Sequence, residues 1–178
     1  MKKYIFFASI LVLAIAGLVI SQNFNKIREN LSGYEEVPAL STPGHGTFTA
    51  RISGDESSIS YEETFSDTET DVTQSHIHFE NRTNNGPIVV FLCTNLGNGP
   101  AGTQPCPTQG GTITGTITAA NVGGGAAAQG IAVGEFDEFL AALRSGATYV
   151  NVHTTGRPGG EIRSQIDLDR GFGRHDDH

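Results

Sequence analysis

Three histidines carry the clearest capacity for chemistry in this sequence. His76 and His78 are separated by one residue in an alternating segment, and alternate side chains of a β-strand project from the same face. His153 lies in a second alternating segment. Two imidazoles from one strand and a third from a neighbouring strand can bind copper or zinc through ring nitrogens. The spacing therefore indicates a candidate metal site, with copper or zinc as the cofactor.

Three further polar residues belong to the same predicted face. Asn151 shares a face with His153, and Glu161 and Arg163 alternate with apolar residues in the segment that follows. If these segments are neighbours in a sheet, the three residues support the histidines. A purely structural interpretation stays open, in which the histidines hydrogen-bond to the backbone and Glu161 pairs with Arg163. The charge of Arg163 would also oppose a bound cation.

Patterns that define common catalytic sites are missing from the sequence. There is no Gly-x-Ser-x-Gly turn for a serine nucleophile, and the Gly-rich run 123–128 lacks the Lys and Ser/Thr of a phosphate loop. Adjacent carboxylates such as Glu62 and Glu63 point to opposite faces of a strand and make poor acid–base pairs. The sequence does not decide whether the protein is an enzyme, and its residues favour a protein that is not one.

The segments that must position these residues show the period-two pattern of β-strands. Short alternating or apolar runs, separated by Gly, Pro, Asn and Asp clusters, cover residues 47–52, 58–65, 87–92, 111–118, 148–153 and 161–166. They predict an all-β fold, an antiparallel β-sandwich of immunoglobulin-like or superoxide-dismutase-like architecture. One short helix is predicted near 135–145, because Phe136, Phe139, Leu140 and Leu143 occupy one helical face.

The N-terminus has the pattern of an export signal. Lys2 and Lys3 precede an uncharged, mainly apolar run from Tyr4 to Ile20, and a polar stretch follows from Ser21. We predict a signal peptide or an uncleaved N-terminal anchor over residues 1–21, a linker over 22–30, one domain over 31–167 and a disordered polar tail over 168–178. The expected location is secreted, periplasmic or at the cell surface, with membrane contact only through the N-terminal segment.

Composition limits the partners and the redox state. The chain has 19 acidic and 11 basic residues, so it lacks the positive surface that nucleic acids attract. A protein or glycan partner at the cell surface is the remaining expectation. Cys93 and Cys106 are close in sequence and should pair in an oxidising compartment. Asn81 begins an Asn-Arg-Thr sequon, which suits glycosylation if the host performs it.

Several blocks of the sequence resemble one family. In order they are LSGYEEVP (31–38), SHIHF (75–79), NGPIVVFL (85–92), YVNVHT (149–154) and PGGEIRSQI (158–166). In sequence and spacing they are similar to the CHRD domain, a module named from chordin and found in many microbial exported proteins. The resemblance implies an exported β-sandwich-like module whose role in microbes is largely undefined.

These observations support three functional hypotheses. The first is an exported CHRD-type binding or structural module of undefined ligand. The second is a copper- or zinc-binding protein that uses His76, His78 and His153. The third and weakest is an enzyme like superoxide dismutase, because the His-x-His strand of that enzyme is an analogy at the level of the fold alone.

Overall fold

The alternating segments form one antiparallel sheet of eight strands. The structure is a computed structural model that describes residues 25–168. Its strands are β1 (Lys26–Ser32), β2 (His45–Ile52), β3 (Ile59–Ser66), β4 (Val72–Phe79), β5 (Ile88–Thr94), β6 (Gly111–Ile117), β7 (Thr148–Thr154) and β8 (Ile162–Gln165). The predicted all-β antiparallel class is confirmed.

The sheet curls until its edges approach each other. The strand order is β5-β4-β7-β8-β1-β2-β3-β6, and the edge strands β5 and β6 lie in contact. The Gln104 side chain closes this seam, since its amide donates to the carbonyl oxygens of Leu92 on β5 and Thr114 on β6. The result is a sandwich-like body with two walls, nearly closed around a single core.

Apolar side chains fill the space between the walls. Phe48 and Phe65 from one wall and Ile77 and Val150 from the other are fully buried in one cluster. Burying such a side chain contributes roughly 1.5–3 kcal/mol each. The core therefore fixes the inner faces of β4 and β7. This also fixes the positions of the histidines on the outer faces of the same strands.

One α-helix, α1 (Phe136–Arg144), packs on this core through the face that the sequence predicted. Phe136, Phe139, Leu140 and Leu143 are all buried. Short 3₁₀ turns occupy Gly33–Glu35, Ala119–Asn121 and Gly124–Gln129. The last of these lies in the Gly-rich run. Gly125 lies so close to β5 that a Cβ there would meet the carbonyl oxygen of Ile88 at 2.1 Å.

The first strand lies within the segment predicted as a linker. Residues 26–32 pair in register with β2, from Lys26 opposite Arg51 to Ser32 opposite His45. Ile27 and Leu31 are buried, while Lys26, Arg28 and Asn30 on the other face of the strand are exposed. The linker assignment for 26–30 is therefore wrong, because only two apolar residues mark this strand.

Two other predictions fall outside the described residues. The signal or anchor at 1–21 and all of the tail after Leu168 belong to this group. No helix between residues 25 and 168 combines the length and the apolar character of a membrane span.

Candidate functional site

The three histidines meet on the outer face of β4 and β7. Strand β4 lies beside the β7–β8 hairpin, with His76 opposite Asn151 and His78 opposite Tyr149. One ligand nitrogen from each of His76, His78 and His153 lies within 4.8 Å of the others. The residues are only 1%, 6% and 6% exposed, respectively. The predicted polar face is thus a buried layer and not an open surface.

Loops cover this layer from outside. Asn85 of the β4–β5 loop donates to the carbonyl oxygen of Val37 in the β1–β2 loop. The Gln165 amide donates to the carbonyl oxygens of Glu80 and Gly146. These bonds hold the loops against the sheet, so the histidines lie between the strands and a covering layer.

The backbone sets the tautomers of two of the three imidazoles. The Nδ1 hydrogen of His78 is donated to the carbonyl oxygen of Gly86 at 2.9 Å, and that of His153 to the carbonyl oxygen of Pro158 at 3.0 Å. A carbonyl oxygen can only accept, so Nδ1 carries the proton in each ring and Nε2 keeps a lone pair. The two Nε2 atoms face each other at 3.4 Å. Carbonyl bonds of this kind commonly orient histidines that ligate metals.

His76 completes the cluster without any partner of its own. Among residues 25–168, neither ring nitrogen has a hydrogen-bond partner, although both are buried. The ring instead makes an edge contact with Phe91, with centroids 4.4 Å apart, and lies 4.9 Å from the His153 ring. A buried polar nitrogen without a partner costs about 1–3 kcal/mol. A neutral imidazole has one N–H donor and one lone pair, so His76 adds one buried lone pair to the cluster.

Burial keeps all three imidazoles neutral. Desolvation lowers the pKa of His76 to about 2, with further contributions from the neighbouring His153 and His78. Desolvation likewise lowers the pKa of His78 to about 4 and lowers that of His153. Neutral imidazole is the form that coordinates metals. The site is therefore in its ligating form throughout the physiological pH range.

An aromatic ring and a guanidinium stack on one side of the cluster. The ring of Tyr149 lies parallel to that of His78, at 3° and 4.7 Å between centroids. The guanidinium carbon of Arg163 lies 3.4 Å from the centre of the Tyr149 ring, a cation–π contact. The Tyr149 hydroxyl accepts a hydrogen bond from the Gly86 amide, the same residue whose carbonyl oxygen orients His78.

Arg163 and Glu161 do not pair with each other, so this part of the structural interpretation is wrong. Arg163 donates only to neutral acceptors, namely the carbonyl oxygens of Asn81, Arg82 and Asn84 and the side-chain oxygens of Asn85 and Gln165. The carboxylate of Glu161 accepts from Thr42, from Thr154 and from the Glu69 amide. Glu161 therefore bonds to the β1–β2 and β3–β4 loops, whereas Arg163 bonds to the β4–β5 loop.

Asn151 is tied to a carboxyl group that the sequence reasoning missed. Its amide donates to Glu36 at 2.6 Å and to the Ile162 carbonyl oxygen at 2.9 Å. Burial raises the pKa of Glu36 to about 7, against the lowering effect of the Asn151 bond. Glu36 and Asn151 are 115 positions apart in sequence, so no local pattern links them.

A second buried carboxyl lies inside the core, on the reverse side of β4. Ser75 donates to one oxygen of Glu63 at 2.9 Å, and the other oxygen has no partner in the part of the chain that the structure describes. Complete burial raises the pKa of Glu63 to about 8, although the Ser75 bond acts in the opposite direction. As predicted, the neighbouring Glu62 points outward.

The remaining predicted features lie away from the cluster. Cys93 and Cys106 form the predicted disulfide. Asn81 is exposed at the start of the β4–β5 loop, where a glycan would have space, and its glycosylation stays a prediction. His45 is exposed and bonds to Ser66.

Comparison with known proteins identifies the family. No curated protein and no solved structure matches the chain. The family model of the CHRD domain matches residues 27–166, from the first strand to the end of the sheet. The match covers well over half of the chain, and so this protein belongs to the CHRD domain family.

Proposed function

We propose that this CHRD domain is a metal-binding module that holds one copper or zinc ion between His76, His78 and His153. The observation that carries the proposal is the 3.4 Å approach of two Nε2 atoms whose Nδ1 hydrogens are both donated elsewhere. Two lone pairs that face each other repel unless a cation or a shared hydrogen lies between them. The proposal concerns binding and includes no catalytic step.

The distances suit a small transition-metal ion. Two nitrogens that each lie about 2.0 Å from one ion are ~3.3–3.6 Å apart at tetrahedral or trigonal angles. The His78–His153 pair has this separation, and His76 supplies two unpartnered nitrogens beside it. A shift of its ring by about 1 Å would bring one of them to bonding distance.

We also propose that the domain works outside the cytoplasm, as a secreted, periplasmic or cell-surface protein. The N-terminal pattern of residues 1–21 and the Cys93–Cys106 disulfide support this location. Members of the family are typically extracellular. An intact-mass measurement on protein recovered from the cell envelope or the medium tests this location. Recovery of the protein from the cytoplasm, with the mass of the uncleaved and reduced chain, would contradict it.

Metal analysis of the full chain, purified without an affinity tag of histidines, tests the binding proposal. The chain has six histidines, three in the cluster and three outside it. The cluster variant is H76A/H78A/H153A, and the matched control is H45A/H175A/H178A. We expect one equivalent of copper or zinc in the wild type and the control, and none in the cluster variant.

The result separates binding from a structural role. Loss of metal in the control variant, together with retention of metal in the cluster variant, would show that the cluster is not the site. A wild-type protein that binds neither metal after incubation and gel filtration, while the cluster variant has a lower melting temperature, would overturn the proposal in favour of structural histidines.

A further inference from the structure

We propose that the His76–His78–His153 cluster prefers the cuprous ion, Cu(I), over the divalent ions Zn²⁺ and Cu²⁺. This inference rests on the proposed function and deepens it, because it names the charge state of the ion. Four features carry it: the neutrality of the ligands, their burial, their number and a nearby fixed positive charge.

The ligand set brings no negative charge. Imidazole coordinates a metal as a neutral ligand, and the Nδ1 hydrogens that His78 and His153 donate to carbonyl oxygens remain on their rings. Among residues 25–168, no carboxylate or thiolate joins the three histidines within ligand distance. Bound Cu(I) would thus leave one net positive charge in the site, whereas Zn²⁺ or Cu²⁺ would leave two.

Burial makes the second charge costly. The solvation energy that an ion loses on burial grows with the square of its charge, so a divalent ion loses about four times as much as a monovalent one of equal size. The histidines are almost completely buried, and aromatic rings of Phe91 and Tyr149 lie against two of them. Little water is therefore present to offset the second charge.

The number of ligands points the same way. Zinc sites with three protein ligands usually take a water molecule as the fourth. Here the cluster is covered by the loops that Asn85 and Gln165 hold in place. A trigonal site of three imidazoles satisfies Cu(I), which accepts three ligands readily, and needs no fourth position.

Arg163 adds a fixed positive charge to one side of the cluster. Its guanidinium is buried, stacks on Tyr149 and is separated from His78 by that single ring. In the described part of the chain it forms no salt bridge with a carboxylate. Its repulsion of a bound ion is twice as large for a divalent ion as for Cu(I).

Competition titrations on the full chain test the preference. Cu(I) is titrated anaerobically against bicinchoninate with ascorbate as the reductant, because a thiol reductant could release Cys93 and Cys106 as competing ligands. Zn²⁺ and Cu²⁺ are titrated against their own chelators at the same pH. We expect Kd for Cu(I) to be at least 100-fold lower than that for either divalent ion, and X-ray absorption to show three nitrogen ligands.

The outcomes separate this inference from the proposed function. Tighter binding of Zn²⁺ or Cu²⁺ would overturn the preference for Cu(I) and leave the metal site intact. Failure to bind any of the three ions would overturn both.

Variants of Arg163 test the electrostatic cause. R163M removes the charge, and R163K retains it while losing the planar stacking. We expect the ratio of the Zn²⁺ and Cu(I) dissociation constants to fall about tenfold in R163M and to change little in R163K. An equal change in both variants would show that Arg163 acts only by holding the loops, and would contradict its charge effect.

Discussion

The imidazoles of His78 and His153 present their Nε2 atoms to each other at 3.4 Å, while their Nδ1 hydrogens are donated to Gly86 and Pro158. Each ring is thus held from behind by backbone and points a lone pair toward a common centre. His76 stands beside them with both nitrogens unpartnered. Such a cluster is less stable without a ligand than an apolar one of the same shape, and the difference can be measured.

The first prediction is that H76L stabilises the metal-free protein. Leucine has nearly the volume of histidine and brings no buried nitrogen without a partner, so we expect the free energy of unfolding to rise by about 1 kcal/mol or more. The variant should also lose metal binding. Urea unfolding of chelator-treated protein at pH 7.5 checks the first part. A large loss of stability would instead assign His76 a structural role.

The second prediction is that the cluster histidines contribute a loss of stability in acid to the metal-free protein, which is measured as the difference between the wild type and H76L. The pKa values of His76 and His78 lie near 2 and 4 in the folded state, below the ordinary value of 6.5. The unfolded chain therefore binds more protons between these values, and stability present above pH 6.5 is lost as the pH falls. His78 alone accounts for a loss on the order of 3 kcal/mol by pH 4.

Urea unfolding between pH 7 and pH 4 measures this slope. H76L should show a shallower decline than the wild type, because one of the groups is gone. H45Q, at the exposed His45, serves as the control and should keep the wild-type slope. Identical slopes for the wild type and H76L would contradict the assignment.

The third prediction concerns Glu63, whose effect has the opposite sign. Its pKa is raised from 4.5 to about 8 in the folded protein. Between these two values the folded protein keeps the proton on Glu63 while the unfolded chain releases it. The contribution of Glu63 to the free energy of unfolding is therefore complete below pH 4.5 and is lost as the pH rises to about 8. E63Q should remove a decline of a few kcal/mol over this window. E62Q, at the outward neighbour, should leave the profile unchanged.

The fourth prediction concerns Gly160, which the polar layer requires. A Cβ there would lie 2.5 Å from the Asn151 side-chain oxygen and 2.8 Å from Glu36, and its φ of +125° is strained for any other residue. We expect G160A to lower the free energy of unfolding by more than about 1 kcal/mol and to weaken metal binding. G159A is the matched control, because a Cβ at Gly159 meets nothing within 4 Å. Equal stability of the two variants would contradict the role of the close packing.

Local pattern was sufficient to predict most of the strands and to place two of the histidines. Alternation placed His76 and His78 on one face of their strand. Helix α1 followed from four apolar residues at helical spacing. These features depend on residues that are close in sequence, through the alternation of a strand or the spacing of a helix. Each is therefore visible in a short window of sequence.

The covering layer was not predictable in the same way. The partners of Arg163 are mainly backbone carbonyl oxygens, which every residue has and no side-chain pattern marks. Glu36 reaches Asn151 across 115 positions of sequence. Strand β1 was missed because its outward positions are polar and only Ile27 and Leu31 are buried.

The fifth prediction concerns the seam between β5 and β6. The Cys93–Cys106 bond closes a loop with a sequence separation of 13, and Gln104 within that loop bonds to both edge strands. The double variant C93S/C106S removes the cross-link, which increases the conformational entropy of the unfolded chain. We therefore expect the free energy of unfolding to fall by about 3 kcal/mol. Urea unfolding of the two proteins measures the difference.

Metal binding should survive this change. Cys93 lies on β5 opposite Ser75, whose side chain faces the core, while His76 faces the opposite side of β4. The variant should therefore keep the wild-type metal stoichiometry at temperatures well below its melting point. Q104A is the companion variant, since it removes the side chain that joins the edges but keeps the disulfide. Loss of metal in Q104A or C93S/C106S, with the fold intact by circular dichroism, would mean that closure of the sheet and geometry of the histidines are coupled.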